Sequence, residues 1–185
     1  VTELMVSTPS LFIGTNQSAS TGNFSIRGIG TGAQNFGLES SVGLYVDGVY
    51  RSRQSSMINQ LIDLEAVEVL RGPQGTLFGR NSASGAVLFR TVAPSHDQDG
   101  FLELSMGDYN LTNISGAFNL SLSDNVASRT TFFSSSRDGF IDVIDQDKDL
   151  NNRNRRGLRQ QFLYTPSDTL SARLIVDYAK LDELC

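Results

Sequence analysis

The sequence predicts a small α+β globule over residues 1–93, a polar linker over 94–100 and an antiparallel β-sheet over 101–185. Three observations carry this division. The first part mixes glycine-rich loops with short apolar runs and one helix-like repeat. The last part switches to an alternation of apolar and polar residues, the signature of half-buried strands. Between them, Ala93-Pro-Ser-His-Asp-Gln-Asp-Gly100 has the composition of a connecting loop.

Within the first part, Phe24-Ser-Ile-Arg27 and Val42-Gly-Leu-Tyr-Val-Asp-Gly-Val-Tyr50 read as glycine-flanked strands. Met57, Ile58, Leu61, Ile62 and Leu64 fall at helical spacing and predict a helix over 57–64. Ala66-Val-Glu-Val-Leu70 and Ala86-Val-Leu-Phe89 supply two more strands. In the last part Leu102, Leu104 and Met106 alternate with Glu103 and Ser105. Ile114, Gly116, Phe118, Leu120 and Leu122 share one face; Asn113, Ser115, Ala117, Asn119 and Ser121 share the other. Leu170, Ala172, Leu174, Val176 and Tyr178 repeat the pattern, with Ile175 as the exception. Segments 126–136 and 157–165 are strands with weaker alternation.

Connections add a second signal. Gly107-Asp-Tyr-Asn110, Ser123-Asp-Asn125 and Pro166-Ser-Asp168 are short turns, whereas 137–156 is a long polar excursion. Apart from the short turn 107–110, which falls on the same side as the long excursion, this plan fits a transmembrane β-barrel, with short turns on one side and longer loops on the other. A soluble meander with one wet face fits the periodicity as well. About five strands cannot close a membrane barrel, whose smallest bacterial examples have about eight. The barrel reading therefore places most strands outside this chain. Both ends also read as cut: no signal-peptide pattern opens the chain, and the last strand pattern runs almost to Cys185.

Composition narrows the function classes. A net charge of -5 argues against nucleic acid as the main partner. A mean hydropathy of -0.17, with no apolar run near the ~18–20 residues a spanning helix needs, excludes helical membrane spans. Cys185 and His96 are the sole residues of their types, which leaves no disulfide framework, thiolate metal cluster or nucleophile–histidine set. No enzyme activity and no resident cofactor are expected. His96 reads as a solvated loop histidine. Gly72, Gly75, Gly79 and Gly85 invite comparison with a phosphate loop, but Arg80 and Asn81 stand where Lys and Ser/Thr are required. Gly28, Gly30 and Gly32 likewise miss the dinucleotide spacing. Asp145, Asp147 and Asp149 occupy calcium-loop positions, yet Leu150 and Arg156 replace the required Gly and Glu.

Three motifs carry a family resemblance. Phe24-Ser-Ile-Arg-Gly-Ile-Gly30, Val42-Gly-Leu-Tyr-Val-Asp-Gly-Val49 and the long Leu64-Glu-Ala-Val-Glu-Val-Leu-Arg-Gly-Pro-Gln-Gly-Thr-Leu-Phe-Gly-Arg-Asn81 with Ser84-Gly-Ala-Val87 resemble the plug of TonB-dependent outer-membrane receptors. Arg129-Thr-Thr-Phe-Phe133 with Arg137-Asp-Gly139 is similar to their early barrel strands. The resemblance implies an α+β plug globule followed by antiparallel strands of an incomplete transmembrane β-barrel. It implies uptake across the outer membrane of a Gram-negative bacterium, mostly of ferric siderophores. The partners would be TonB with its inner-membrane complex, and outer-membrane lipid. No TonB box can be assigned in residues 1–10.

The resemblance also implies site residues. Arg27 and Arg71 stand at strand ends beside glycine, where a guanidinium can grip a carboxylate bidentately; in the family, matching arginines pair with acidic residues of the barrel wall. Gly28, Asp47, Gly48, Glu68, Gly72, Pro73, Gly75 and Gly79 belong to the plug motifs. Ligand contact would fall on loops 31–41 and 50–56, with Gln34, Asn35, Phe36, Arg51 and Arg53 suited to a polar, anionic ligand. The loop 137–156 is a further candidate surface. A soluble periplasmic β-rich binding module without transport activity remains the rival reading.

Overall fold

The computed structural model describes residues 4–15, 22–31, 39–52, 61–79, 81–144 and 148–184. The chain divides into two units, Val1–Thr91 and Val92–Cys185.

The first unit opens with a single helical turn, α1 (Leu4–Ser7), and three antiparallel strands: β1 (Leu11–Thr15), β2 (Gly22–Ile26) and β3 (Ile29–Gly30). A second sheet holds β4 (Val42–Val46), β5 (Val49–Tyr50), β6 (Leu64–Arg71) and β7 (Gly85–Thr91), in the order β5-β4-β7-β6. Here β4 runs parallel to β7 and the other neighbours are antiparallel. Another helical turn, α2 (Gly75–Phe78), lies between β6 and β7.

Two hairpins are closed by two-residue turns, Arg27-Gly28 (φ +55° and +77°) and Asp47-Gly48 (φ +48° and +81°). Positive φ at both positions matches the right-handed twist of the flanking strands, and glycine meets it without strain. Leu11, Ile13, Phe24, Ile26, Val42, Leu44, Val46, Val87 and Phe89 form the core, drawn from both sheets.

Two expectations are corrected here. The helix over 57–64 is not present in its described part: residues 61–63 lack helix and Leu64 opens β6, paired with Thr91. Asp63 adopts φ +59°, which ends any right-handed helical run, and Leu64 joins the core from a strand. Strand β1 was missing from the sequence reading, because Leu11-Phe-Ile13 is too short to show a period.

The second unit is a meander of β8 (Gly100–Gly107), β9 (Leu111–Ser123), β10 (Val126–Arg137), β13 (Arg153–Ser167) and β14 (Leu170–Leu181). A small hairpin, β11 (Ile141–Asp142) with β12 (Asp149–Leu150), sits in the loop between β10 and β13. Four of these strands have 12 to 15 residues, beyond the ~9–11 a tilted membrane strand needs. The final reversal falls at Asp168-Thr169, and Pro166 remains inside β13. A register shift between Tyr164 and Ser167 accommodates the proline, which has no N–H to give the ladder.

Candidate functional site

In the first unit the motif residues build a braced turn cluster. The Asp47 carboxylate accepts hydrogen bonds from the Thr91 backbone N–H and the Thr91 hydroxyl, both at 2.9 Å. The Asp47 N–H in turn donates to the Phe89 carbonyl at 2.9 Å, so this aspartate ties the β4–β5 turn to the end of β7. The Tyr45 hydroxyl donates to the Phe78 carbonyl at 2.8 Å, and its ring lies 5.0 Å from Phe78 and 5.5 Å from Tyr50. Burial, with Tyr50 beside it, pushes the Tyr45 phenol above its ordinary pKa and keeps it a donor. Asn81 donates to Glu39 at 2.5 Å and to the Tyr50 hydroxyl at 3.2 Å. At Gly85 the chain passes so close to β6 that a Cβ would stand 2.3 Å from the Leu70 carbonyl oxygen.

The predicted site residues are therefore partly structural. Gly28 and Gly48 form hairpin turns, while Gly72 and Gly79 hold positive φ around α2, which Pro73 precedes and Gly75 opens. Glu68 lies 3.9 Å from Arg90, which also pairs with Glu65 at 3.1 Å. Arg27 and Arg71 are exposed, and neither guanidinium has a partner among the described residues. The Arg51 N–H donates to the Leu44 carbonyl at 2.8 Å. Gln34, Asn35, Phe36 and Arg53 lie outside the described residues, as do Arg80, Asp145, Asp147 and Cys185.

The second unit has two unlike faces. Strand register sets Leu104, Ile114, Phe132, Leu158 and Tyr178 on one side and Glu103, Ser115, Phe133, Arg159 and Asp177 on the other. The first face carries exposed Leu102, Leu104, Met106, Phe118, Leu120, Leu158, Leu174, Val176 and Tyr178, with Thr130 and Gln160, hydrogen-bonded to each other at 2.6 Å, among them. Ile175, the exception to alternation, stands on the polar side opposite Gln161. That polar side holds buried Asn119, Arg129, Arg155 and Gln161.

Sequence reasoning missed what these buried groups do. The segment after Val92 is fastened to the polar face. The two Nδ2–H of Asn119 are shared among the carbonyls of Ser95 (2.8 Å) and Asp97 (2.6 Å) and the Ser95 hydroxyl (2.7 Å), and its oxygen accepts from the Ser95 N–H at 3.2 Å. Arg129 pairs with Asp99 at 3.0 Å. Gln161 donates to the Val92 carbonyl at 3.1 Å while its oxygen accepts from Arg173 at 3.0 Å. His96 lies 3.1 Å from the Ser121 hydroxyl. The polar linker is thus fastened to the sheet, while the His96 side chain is exposed. The one available signal was polarity at strand positions that alternation had already assigned to one face.

Among the described residues no cluster of three His, Cys, Asp or Glu side chains could hold a metal, and no helix is long and apolar enough to cross a membrane.

A mixed globule followed by long, two-faced antiparallel strands defines a plug domain with strands of an unclosed β-barrel. Residues 1–86 match the family profile of the TonB-dependent Receptor Plug Domain. Over 79 residues it is 40% identical to the pesticin receptor of Yersinia pestis, a stretch covering 43% of this chain and 11% of that protein. In structure it is similar to the ferric yersiniabactin uptake receptor FyuA from Yersinia pestis, with a TM-score of 0.79 and 25% identity. That match covers 90% of this chain and 26% of FyuA. The pyoverdine outer membrane receptor FpvA from Pseudomonas aeruginosa shares the fold, with a TM-score of 0.72 at 19% identity over 96% of this chain and 24% of FpvA. The chain thus spans about a quarter of the length of these solved receptors.

Proposed function

We propose that this chain is part of an outer-membrane receptor that binds a ferric siderophore and imports it with energy coupled through TonB. The observation that carries the reading is the open apolar face of the meander, behind a plug domain. Each of its exposed leucines and aromatics would face water in a soluble module, whereas lipid accepts all of them. The polar face then lines the lumen, where a plug would meet it. Exposed, unpaired Arg27 and Arg71 are suited to grip wall carboxylates there. The plug loops 31–41 and 50–56, with Gln34, Asn35, Phe36, Arg51 and Arg53, are the proposed ligand contacts. No observation favours the soluble binding module.

The test is uptake by the full-length receptor that contains this segment, expressed in an iron-starved host lacking its own siderophore receptors. Labelled ferric chelates of catecholate, hydroxamate and phenolate types are supplied with and without functional TonB. Accumulation of at least one chelate, lost without TonB, is the expected result. Uptake that persists without TonB, or no surface binding of any chelate, would refute the reading.

A further inference from the structure

Arg137, the last residue of β10, and Arg153, the first of β13, are register partners on the polar face. Directly opposed side chains on antiparallel strands stand about 4.5–5.5 Å apart at Cβ, and like charges placed there destabilise the sheet. Burial and the neighbouring Arg155 and Arg137 lower the Arg153 pKa from its ordinary value, and only the Glu183 carboxylate acts against them. Arg155, two residues on and therefore on the same face, is occupied by Glu183, which it meets through Nε and through Nη2 at 2.8 Å.

Arg137 donates through Nη2 to the Asn151 carbonyl, and its guanidinium lies 4.9 Å from the centre of the Phe140 ring. Its Nε is buried without a hydrogen-bond partner. Arg153 has no side-chain hydrogen bond or ion pair among the described residues. Both line a cleft of about 400 Å³ that also takes in Asp138, Asp149 and Asn152. Asp138 already accepts from Asn110 at 2.6 Å, and Asp149 is engaged in an interaction of its own.

We propose that Arg137 and Arg153 form a binding site for a small oxyanion, a carboxylate or phosphoryl group, at the loop end of the polar face. The oxyanion accepts the orphaned Arg137 Nε–H and the free Arg153 fork together, as charge-assisted hydrogen bonds. It also screens the opposed charges, which explains why the sheet tolerates them. Phe140 stacked on Arg137 holds one guanidinium in place. Long loops lie on the outer side of such barrels, so the site stands where an incoming anionic ligand is first met. That last step rests on the receptor reading above; oxyanion binding does not.

The experiment labels arginines of the full-length receptor in detergent with phenylglyoxal and follows each by peptide mass spectrometry. Citrate and inorganic phosphate are the probes, with chloride at matched ionic strength as reference. Citrate or phosphate should slow Arg153 modification by about ten-fold, the effect of one charge-assisted contact or more. Exposed Arg71 should label at an unchanged rate. Protection by citrate alone marks a carboxylate site and by phosphate a phosphoryl site; both support the proposal. R137Q should abolish protection at Arg153, and R153Q should abolish it at Arg137. Equal protection by chloride, or protection that survives both substitutions, would overturn the site. Loss of protection with chelate uptake intact would sink the site and leave the receptor reading standing.

Discussion

Replacing Asn119 with alanine should release the strap of residues 92–99 while leaving the sheet of the second unit intact. The side chain engages two N–H donors, shared among the Ser95 carbonyl, the Ser95 hydroxyl and the Asp97 carbonyl, and one oxygen, which accepts the Ser95 N–H. At about 1 kcal/mol net for each of these three groups, the ceiling is about 3 kcal/mol. Water can reach part of the released strap, so we take a loss of about 2–3 kcal/mol, a thirty- to hundredfold shift in the local opening equilibrium. Two contacts survive the substitution and keep the effect local: the Asn119 N–H still donates to the Asp99 carbonyl at 2.8 Å, and Arg129 still holds the Asp99 carboxylate. Hydrogen exchange of the full-length receptor reads the outcome directly, because the Ser95 amide has the Asn119 oxygen as its acceptor. Exchange at residues 93–97 should accelerate thirtyfold or more on that estimate, with β9 and β10 unchanged. Asn125→Ala, on an exposed turn, is the control. An unchanged rate at Ser95 would refute the strap.

Other perturbations read other parts of the structure. Leu104→Arg places a charge on the apolar face and should destabilise the receptor in lipid vesicles by about 2–4 kcal/mol, whereas Ser105→Arg on the opposite face should cost far less; equal losses would refute the face assignment. Gly85→Ala meets φ +149° and a Cβ 2.3 Å from the Leu70 carbonyl and 2.7 Å from Ile26 Cδ1. It should weaken the plug by about 1–3 kcal/mol, seen as faster exchange in β6 and β7; wild-type exchange there would show that the close approach is wrong. Tyr45 is held neutral in the folded plug above its ordinary pKa of 10.0. Its contribution is therefore complete below that pH and is lost as pH rises through the folded-state value. Tyr45→Phe should cost about 1 kcal/mol at neutral pH and flatten the alkaline limb of urea unfolding; an identical limb in both proteins would exclude Tyr45 as its source.

The division of the chain was readable because each half obeys a local rule. The exception is Val42–Tyr50, expected as one strand: Asp47-Gly48 turns it into the β4–β5 hairpin, as Arg27-Gly28 turns β2 into β3. Strands β9 and β14 announce their faces through alternation over a dozen residues. The helix expected over 57–64 shows the opposite case: apolar spacing over 57–64 could not reveal that Asp63 leaves the helical region. Of the candidate site, the turn residues were legible as a motif, but the clamp of Asp47 on Thr91 joins positions 44 residues apart and has no local signature.

The arginine pair was hidden for a further physical reason. Polarity at 137 and at 153 is plain in the sequence, but their meeting depends on strand register, and a shift of one residue would send one of them to the other face. The β10–β13 ladder runs without a register shift from Val126↔Tyr164 to Arg137↔Arg153, and at its far end the Asn125 carbonyl accepts the Thr165 N–H at 2.9 Å. The loop between the two arginines can then vary in length without parting them, since the sheet and not the loop brings them together. An insertion into residues 142–148 should leave citrate protection of Arg153 intact, whereas a one-residue deletion within 127–136 should abolish it together with the sheet's outer end. If the loop insertion alone removed protection, the loop would be the binding element and the cross-strand pair would not.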